Sequence, residues 1–422
     1  MTERSVGGAS IRVGDDADWV AVARDLDASD PLAQYADRFE PAPGVTAYFD
    51  GNSLGRPVRG TAQEMARLVE QDWGTRLIRS WDEAWMRWPE ETGDTIAAAA
   101  LGAQAGQTVV ADSTTVLLYK VLRGLVDAQL AADPARTQIV VDTDNFPTDR
   151  YVAEGVAAER GMELVWIDVD PATGVSTDQV RQVVGERTAV VLLSHVAYRS
   201  GYLADAPSIT QVVHDAGGLV LWDLCHSAGS VPMALDAWGV DAAVGCTYKY
   251  LNGGPGSPAF AYLATRHQDS VRQPIQGWMG RRDPFLMERG YEPAVGIRSL
   301  VSGTPPVVGM VPLRLSLEML SDAGITAVRA KSLALTDLAW RIVESWPDEL
   351  GVTIASPREH ERRGGHITIR RHDFAGVTAR LWEQGVIPDF RPPDGLRLGL
   401  APLSTTFAEV VVGLQAVRAQ LR

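Results

Sequence analysis

The chain has 422 residues, 45% of them hydrophobic and 22% charged, with a formal net charge of −14. This length exceeds what one hydrophobic core usually supports, so a large domain with a smaller companion is expected. The negative balance opposes binding to nucleic-acid phosphates, and no run approaches the roughly 18 consecutive apolar residues of a membrane helix.

The opening "MTERSVGGASIRVGDDADWV" is acidic and lacks the basic flank and apolar run of a secretion signal, so a cytoplasmic location is expected. Cys225 and Cys246 fall in apolar, strand-like segments and read as buried thiols in a reducing compartment. Two helices are expected first, "GTAQEMARLVEQDW" and "STTVLLYKVLRGLVDAQLAA". From about Gln138, short β-branched runs follow one another: "QIVVDTD", "ELVWIDVD", "AVVLLSHV", "GLVLWDL" and "AAVGCTY". Their near-continuous hydrophobicity is that of strands buried on both faces. The intervening "DRYVAEGVAAERG", "STDQVRQVVG" and "SITQVVHDAGG" have helical spacing and glycine stops, which gives βαβ units and a mostly parallel sheet covered by helices. The proline-rich "GTPPVVGMVP" leads into "LRLSLEMLSDAG" and a long helical run near "ITAVRAKSLALTDLAWRIVESW". The tail alternates strands and a helix, so residues 323–422 are expected to form a small α+β domain behind a large domain at 61–322, with 1–60 packing on the small one. The basic cluster "REHERRGGHITIRRH" reads as a solvated loop and strand.

Sheets of this kind bind ligands outside the carboxyl ends of their strands, so polar residues there are the candidates. "GLVLWDLCH" ends in Asp223 with His226 beyond it, and Lys249 is expected at the end of the next strand. A lysine amine and a carboxylate at neighbouring strand ends suit pyridoxal phosphate, whose aldehyde needs the amine and whose ring nitrogen needs the acid. An ordinary ion pair is the competing reading. Ser113, Thr114 and Thr115 open an amphipathic helix where N–H groups and hydroxyls could receive a phosphate, although such residues also serve as simple caps. "DNFPTDRY" places Phe146 and Asp149 at a strand end, the ring available for stacking or for the core, and "LLSHVAYRSG" adds Ser194, His195 and Tyr198. GxGxxG and GxxxxGK[ST] are absent from the sequence. The remaining histidines, His214, His267, His360, His366 and His372, lack metal-ligand spacing and read as structural or surface residues.

"WDLCHSAGSVPMALDAWGVDAAVGCTYKYLNGGPGSPAF" resembles the cofactor-lysine region of kynureninases, pyridoxal-phosphate enzymes of fold type I. The likeness extends in order through "YFDGNSLG", "SWDEAW", "DSTT", "FPTDRY", "SHVAYRSG", "QGWMG", "GTPP" and "GLRLGLAPL". It implies a seven-stranded, mostly parallel sheet sandwiched by helices, and hydrolysis of L-kynurenine to anthranilate and L-alanine. By the resemblance Lys249 carries the cofactor, Asp223 pairs with its ring nitrogen, and Thr114 and Thr115 bind its phosphate. Phe146 stacks on the ring, Asp149, Ser194 and His226 complete the shell, and Tyr248 transfers protons. Trp278 and Thr304 reach the phosphate from the partner of a homodimer whose active site lies at the subunit interface, and Arg397 grips the substrate carboxylate. Leu117 and Cys225 depart from the family's more usual asparagine and alanine. Trp81 and Trp85 line the substrate-ring pocket or the core. The alternatives are a hydrolase of 3-hydroxykynurenine or another substituted kynurenine, and a non-catalytic protein that binds the cofactor.

Overall fold

A computed structural model describes residues 16–421. Twelve strands form two sheets. In chain order they are β1 Ala47–Phe49, β2 Thr108–Ala111, β3 Gln138–Asp142, β4 Glu163–Ile167, β5 Thr188–Ser194, β6 Leu219–Asp223, β7 Ala242–Gly245, β8 Ala259–Leu263, β9 Thr353–Ile354, β10 His366–Arg370, β11 Val386–Arg391 and β12 Gly395–Gly399.

The larger sheet runs β2-β8-β7-β6-β5-β3-β4 and is parallel except for β8, which is antiparallel to both neighbours. The five apolar runs read from the sequence are β3 to β7. Their side chains alternate between two cores: Val140, Val191, Val220 and Trp222 enter one, while Ile139, Val190, Leu192 and Leu221 enter the other. Neither face can be left to water, so helices cover both. One is the helix Thr114–Ala132, whose Leu117, Leu118, Val121 and Leu125 pack on the second core. The local signals are in place. Ser176 caps Thr177–Val183 through a capping box with Gln179, and Gly161 ends Pro147–Arg160 at φ 64°, in the left-handed region that glycine tolerates.

The smaller sheet runs β1-β11-β12-β10-β9. Its strand β1 comes from early in the chain and pairs in parallel with β11, so Tyr48 lies opposite Ile387. Phe49, Leu335, Ile367, Leu398 and Leu414 belong to a third core between this sheet and its helices. The long helical run is Ile325–Glu344. The basic cluster differs from expectation: Arg363 and His366 are fully buried, because β10 lies between β12 and β9 and Arg363 pairs with Asp337.

Candidate active site at the strand ends

Parallel register brings Ser194 at the end of β5 beside Asp223 at the end of β6. Lys249 lies beyond β7, in the loop that leads to the glycine turn, rather than at the strand end itself. Cys225 and Cys246 likewise lie just past their strands, yet both remain buried.

Lys249 is half-buried, and its Nζ lies 3.1 Å from His226 Nε2. The same nitrogen stands 6.0 Å from the centre of the Phe146 ring and 5.9 Å from that of Tyr248. Phe146 meets Tyr198 edge to face at 5.4 Å. Burial, reinforced by the Lys249 charge, pushes the His226 imidazole well below its usual range, so it is neutral at physiological pH. Burial and the neighbouring thiols push the Tyr248 phenol up, which keeps it protonated.

Asp149 and Asp223 form a buried carboxyl pair. Burial, followed by the charge and hydrogen bond of Asp223, raises Asp149 well above the usual carboxylate range. Its Oδ2 is buried with no hydrogen-bond partner. Asp223 Oδ1 accepts from the Cys225 backbone N–H at 2.7 Å, and the Cys225 thiol lies 4.0 Å from Thr114 Oγ1. Thr114 and the exposed Thr115 open a helix of 19 residues, with Ser113 as its cap. A site that holds two buried carboxyl groups beside unspent helix-terminal donors is matched by a ligand with a protonated ring nitrogen at one end and a phosphate at the other. Pyridoxal phosphate fits on both counts.

Arg397 in β12 is 1% exposed. It donates through Nη1 to the Tyr198 carbonyl at 2.8 Å and through Nη2 to Ser53 Oγ at 2.7 Å, and it pairs with Asp389 at 2.6 Å. Its Nε is buried without a partner. Tyr198 thus connects Arg397 with the Phe146 ring beside Lys249.

Trp278 and Thr304 are exposed. They line a cavity of about 220 Å³ with Ile78, Trp81 and Phe285. Trp81 and Trp85 touch edge to face at 5.1 Å and line an adjoining apolar cavity of about 540 Å³. His195, read with Ser194 and Tyr198 as part of one edge, points the other way. The pleat sends it between Trp222 and Trp238, each 5.8 Å away, while Ser194 faces the cluster. Leu117 is fully buried in the second core.

Sequence reading missed several members. Asn145 accepts from Ser194 Oγ and from the Phe146 N–H, both at 2.8 Å, and was visible inside "DNFPTDRY". His366 is buried against His226 at 5.4 Å between ring centres, with neither ring nitrogen partnered. Asp50 and Ser53, both inside the motif "YFDGNSLG", and Asp389 gather around Arg397, a grouping that no local pattern shows. Of the other histidines, His214 and His267 bind Asp241, His360 binds Asp337, and His372 lies exposed at the surface. Among the described residues, no three His, Cys, Asp or Glu side chains gather in a metal-binding group. No helix there is long and apolar enough to cross a membrane.

Residues 328–417 match the kynureninase C-terminal domain family, and residues 125–233 match the DegT/DnrJ/EryC1/StrS aminotransferase family. The chain is 42% identical over 389 residues to a kynureninase of Pseudomonas fluorescens, covering 91% of each chain. It is 41% identical over 396 residues to a kynureninase of Burkholderia pseudomallei, covering 93% of each. Among solved structures, the cysteine desulfurase CsdA of Escherichia coli superposes with a TM-score of 0.77 at 18% identity, covering 92% of this chain and 98% of that one. A C-DES mutant with glycine covalently linked to its PLP cofactor superposes with a TM-score of 0.77 at 16% identity, covering 88% and 96%. These superpositions show the fold, α/β with a mostly parallel sheet, and the identity to the bacterial enzymes over nine-tenths of the chain shows the lineage: the chain belongs to the kynureninase family.

Proposed function

We infer that this chain hydrolyses L-kynurenine to anthranilate and L-alanine with pyridoxal 5′-phosphate as cofactor. The observation that carries the reading is the half-buried Lys249 amine, held 3.1 Å from a neutral histidine beside a buried carboxyl pair. Pyridoxal phosphate held at Lys249 would supply an electrophilic aldehyde carbon and an electron-accepting ring. The carboxyl pair Asp223 and Asp149 keeps the ring nitrogen protonated. Thr114 and Thr115 would receive the phosphate and Phe146 would stack on the ring, with Ser194, bonded to Asn145 at 2.8 Å, completing the shell.

The chain's own groups then move protons and fix the substrate. Arg397 offers Nε and its planar fork to the substrate carboxylate, which orients the α-carbon toward Lys249. Lys249 Nζ takes the proton from that carbon, with His226 fixing the direction of its lone pair. One water molecule adds across the Cβ–Cγ bond that breaks: its oxygen ends in the anthranilate carboxyl, one proton goes to Cβ of the alanine fragment, and the other is released as that carboxyl ionises. Tyr248, a neutral phenol, is the donor, a general-acid role typically worth about 10²- to 10⁴-fold. Trp278 and Thr304 complete the phosphate site of the partner subunit in a homodimer, which their exposure supports.

Lys249→Ala is expected to fold and to lose kynurenine turnover, and borohydride treatment of the native holoenzyme is expected to label the peptide that carries Lys249. Full turnover in Lys249→Ala, or a label on another lysine, would overturn the assignment.

A further inference from the structure

The carboxylate anchor is already charge-compensated before any ligand arrives. Arg397 and Asp389 are register partners across β12 and β11, and their side chains pair at 2.6 Å. Asp389 is shared with Arg391, whose Nε donates to it at 2.7 Å. A second carboxylate approaches the same Arg397 nitrogen from β1's end: Asp50 Oδ1 stands 3.9 Å from Nη2, buried and without a hydrogen-bond partner. Two guanidinium groups therefore face two carboxylates. A ligand carboxylate adds a third negative charge to a largely buried site, where like charges a few ångströms apart repel.

Asp389 is held by both arginines, by Arg397 Nη2 at 2.6 Å and by Arg391 Nε at 2.7 Å. Asp50 is held more loosely, by the 3.9 Å contact to Arg397 and by the Ser53 hydroxyl. The other titratable groups facing it are Tyr48 from β1 and Tyr250 from the Lys249 loop; burial pushes both phenols up, so they stay neutral. The imidazoles of His226 and His366 are held neutral by burial. We propose that Asp50 is a proton-coupled counter-charge to Arg397, taking up a proton when a carboxylate lands on that guanidinium, so that substrate affinity is set by pH through this side chain. Burial first, and the Asp389 charge against the Ser53 hydroxyl and the two arginines, already place its carboxyl at about 6. Binding moves it further up, so the uptake window opens near pH 6 and extends into the working range.

The inference rests on Arg397 as the carboxylate anchor. The probe is 4-(2-aminophenyl)-4-oxobutanoate, the substrate skeleton without its α-amine, titrated calorimetrically into holoenzyme in two buffers of different ionisation enthalpy. Wild type is expected to take up about 0.5 proton or more near pH 7, and its Kd to rise about tenfold from pH 6 to pH 8. Asp50→Asn is expected to bind without proton uptake, with a flat pH profile and tighter affinity at pH 8. Wild-type binding without proton uptake, which needs no variant, or a wild-type slope retained in Asp50→Asn, would refute the role of Asp50 even if Arg397→Gln abolishes binding. Undiminished binding in Arg397→Gln would refute the anchor, and the inference with it.

Discussion

Asp241 fixes the strands that carry the site, and its removal tests how firmly. The residue is 1% exposed and sits immediately before β7. One carboxylate oxygen accepts from Arg266 Nη2 at 2.6 Å and His267 Nε2 at 2.7 Å; the other accepts from the Val220 N–H of β6 and from His214 Nε2, both at 2.8 Å. One side chain therefore ties β6, β7, the helix Ala206–Asp215 and the turn after β8. Burial acts to raise its carboxyl, but the hydrogen bonds from His214, His267 and Val220 outweigh it and hold the group well below the usual range. Removing one partner of a buried charge network costs about 3 to 5 kcal/mol, with an orphaned Val220 N–H part of that loss. At about 2 to 4 °C per kcal/mol for a domain of this size, Asp241→Ala is expected to lower Tm by roughly 6 to 20 °C, read by circular dichroism on holoenzyme at pH 7. The depressed carboxyl stabilises the fold above the unfolded-state pKa of about 3.9, and that contribution fades as pH falls below it. A Tm loss under about 2 °C at pH 7 would show that the network adds nothing the fold needs.

Two further outcomes follow from buried groups near the site. Burial, aided by the Arg329 charge, lowers His195 to about 3, so the unfolded chain binds a proton that the folded chain refuses once pH drops below about 6.5; His195→Phe is expected to recover about 2 kcal/mol of stability at pH 5 relative to pH 7, by urea titration at both. An unchanged gap would place that acid sensitivity elsewhere. A Cβ at Gly399 would meet Asn52 Oδ1 at 1.9 Å, and Asn52 is fully buried, so Gly399→Ala is expected to cost about 1 to 3 kcal/mol; an unmoved denaturation midpoint would mean Asn52 has room to yield.

The parts of the fold that were legible are those whose physics is local. Strands β3, β5, β6 and β7 announce themselves because both faces are buried, leaving no polar alternation to blur them, whereas the edge strand β4, with Glu163 and Trp166 exposed, was legible from its β-branched and aromatic residues. Asp223 was legible for the same reason, as the first acid after a continuous apolar run. The strands β2 and β8 were not read, since "TVVA" is four residues long and "AFAYL" follows directly on the glycine turn that drew attention to Lys249. His195 was misplaced because a strand end exposes alternate residues to opposite faces, and only the pleat decides which of two neighbours enters the site. Arg397 was legible by resemblance, but its surroundings were not: Asp50 and Ser53 reach it from the other end of the chain, through a parallel pairing of β1 with β11 that no local pattern encodes.

The lysines make the same point about chemistry. The chain has only three, Lys120, Lys249 and Lys331, against an abundance of arginine. Lys120 is fully buried, paired with Asp112 at 2.5 Å and bonded to the Leu300 carbonyl at 2.9 Å. Lys331 is almost as buried and pairs with Asp30 at 2.7 Å. Each of these amines answers a carboxylate, and converting it to a neutral nucleophile would strand that carboxylate. Lys249 alone, among the described residues, has no acid within ion-pair distance and instead meets a neutral imidazole. An amine needs its lone pair free to attack an aldehyde, and an adjacent carboxylate stabilises the ammonium that lacks one. Burial by itself does not set Lys249 apart; the absence of a paired acid separates it from the two lysines that hold the structure together.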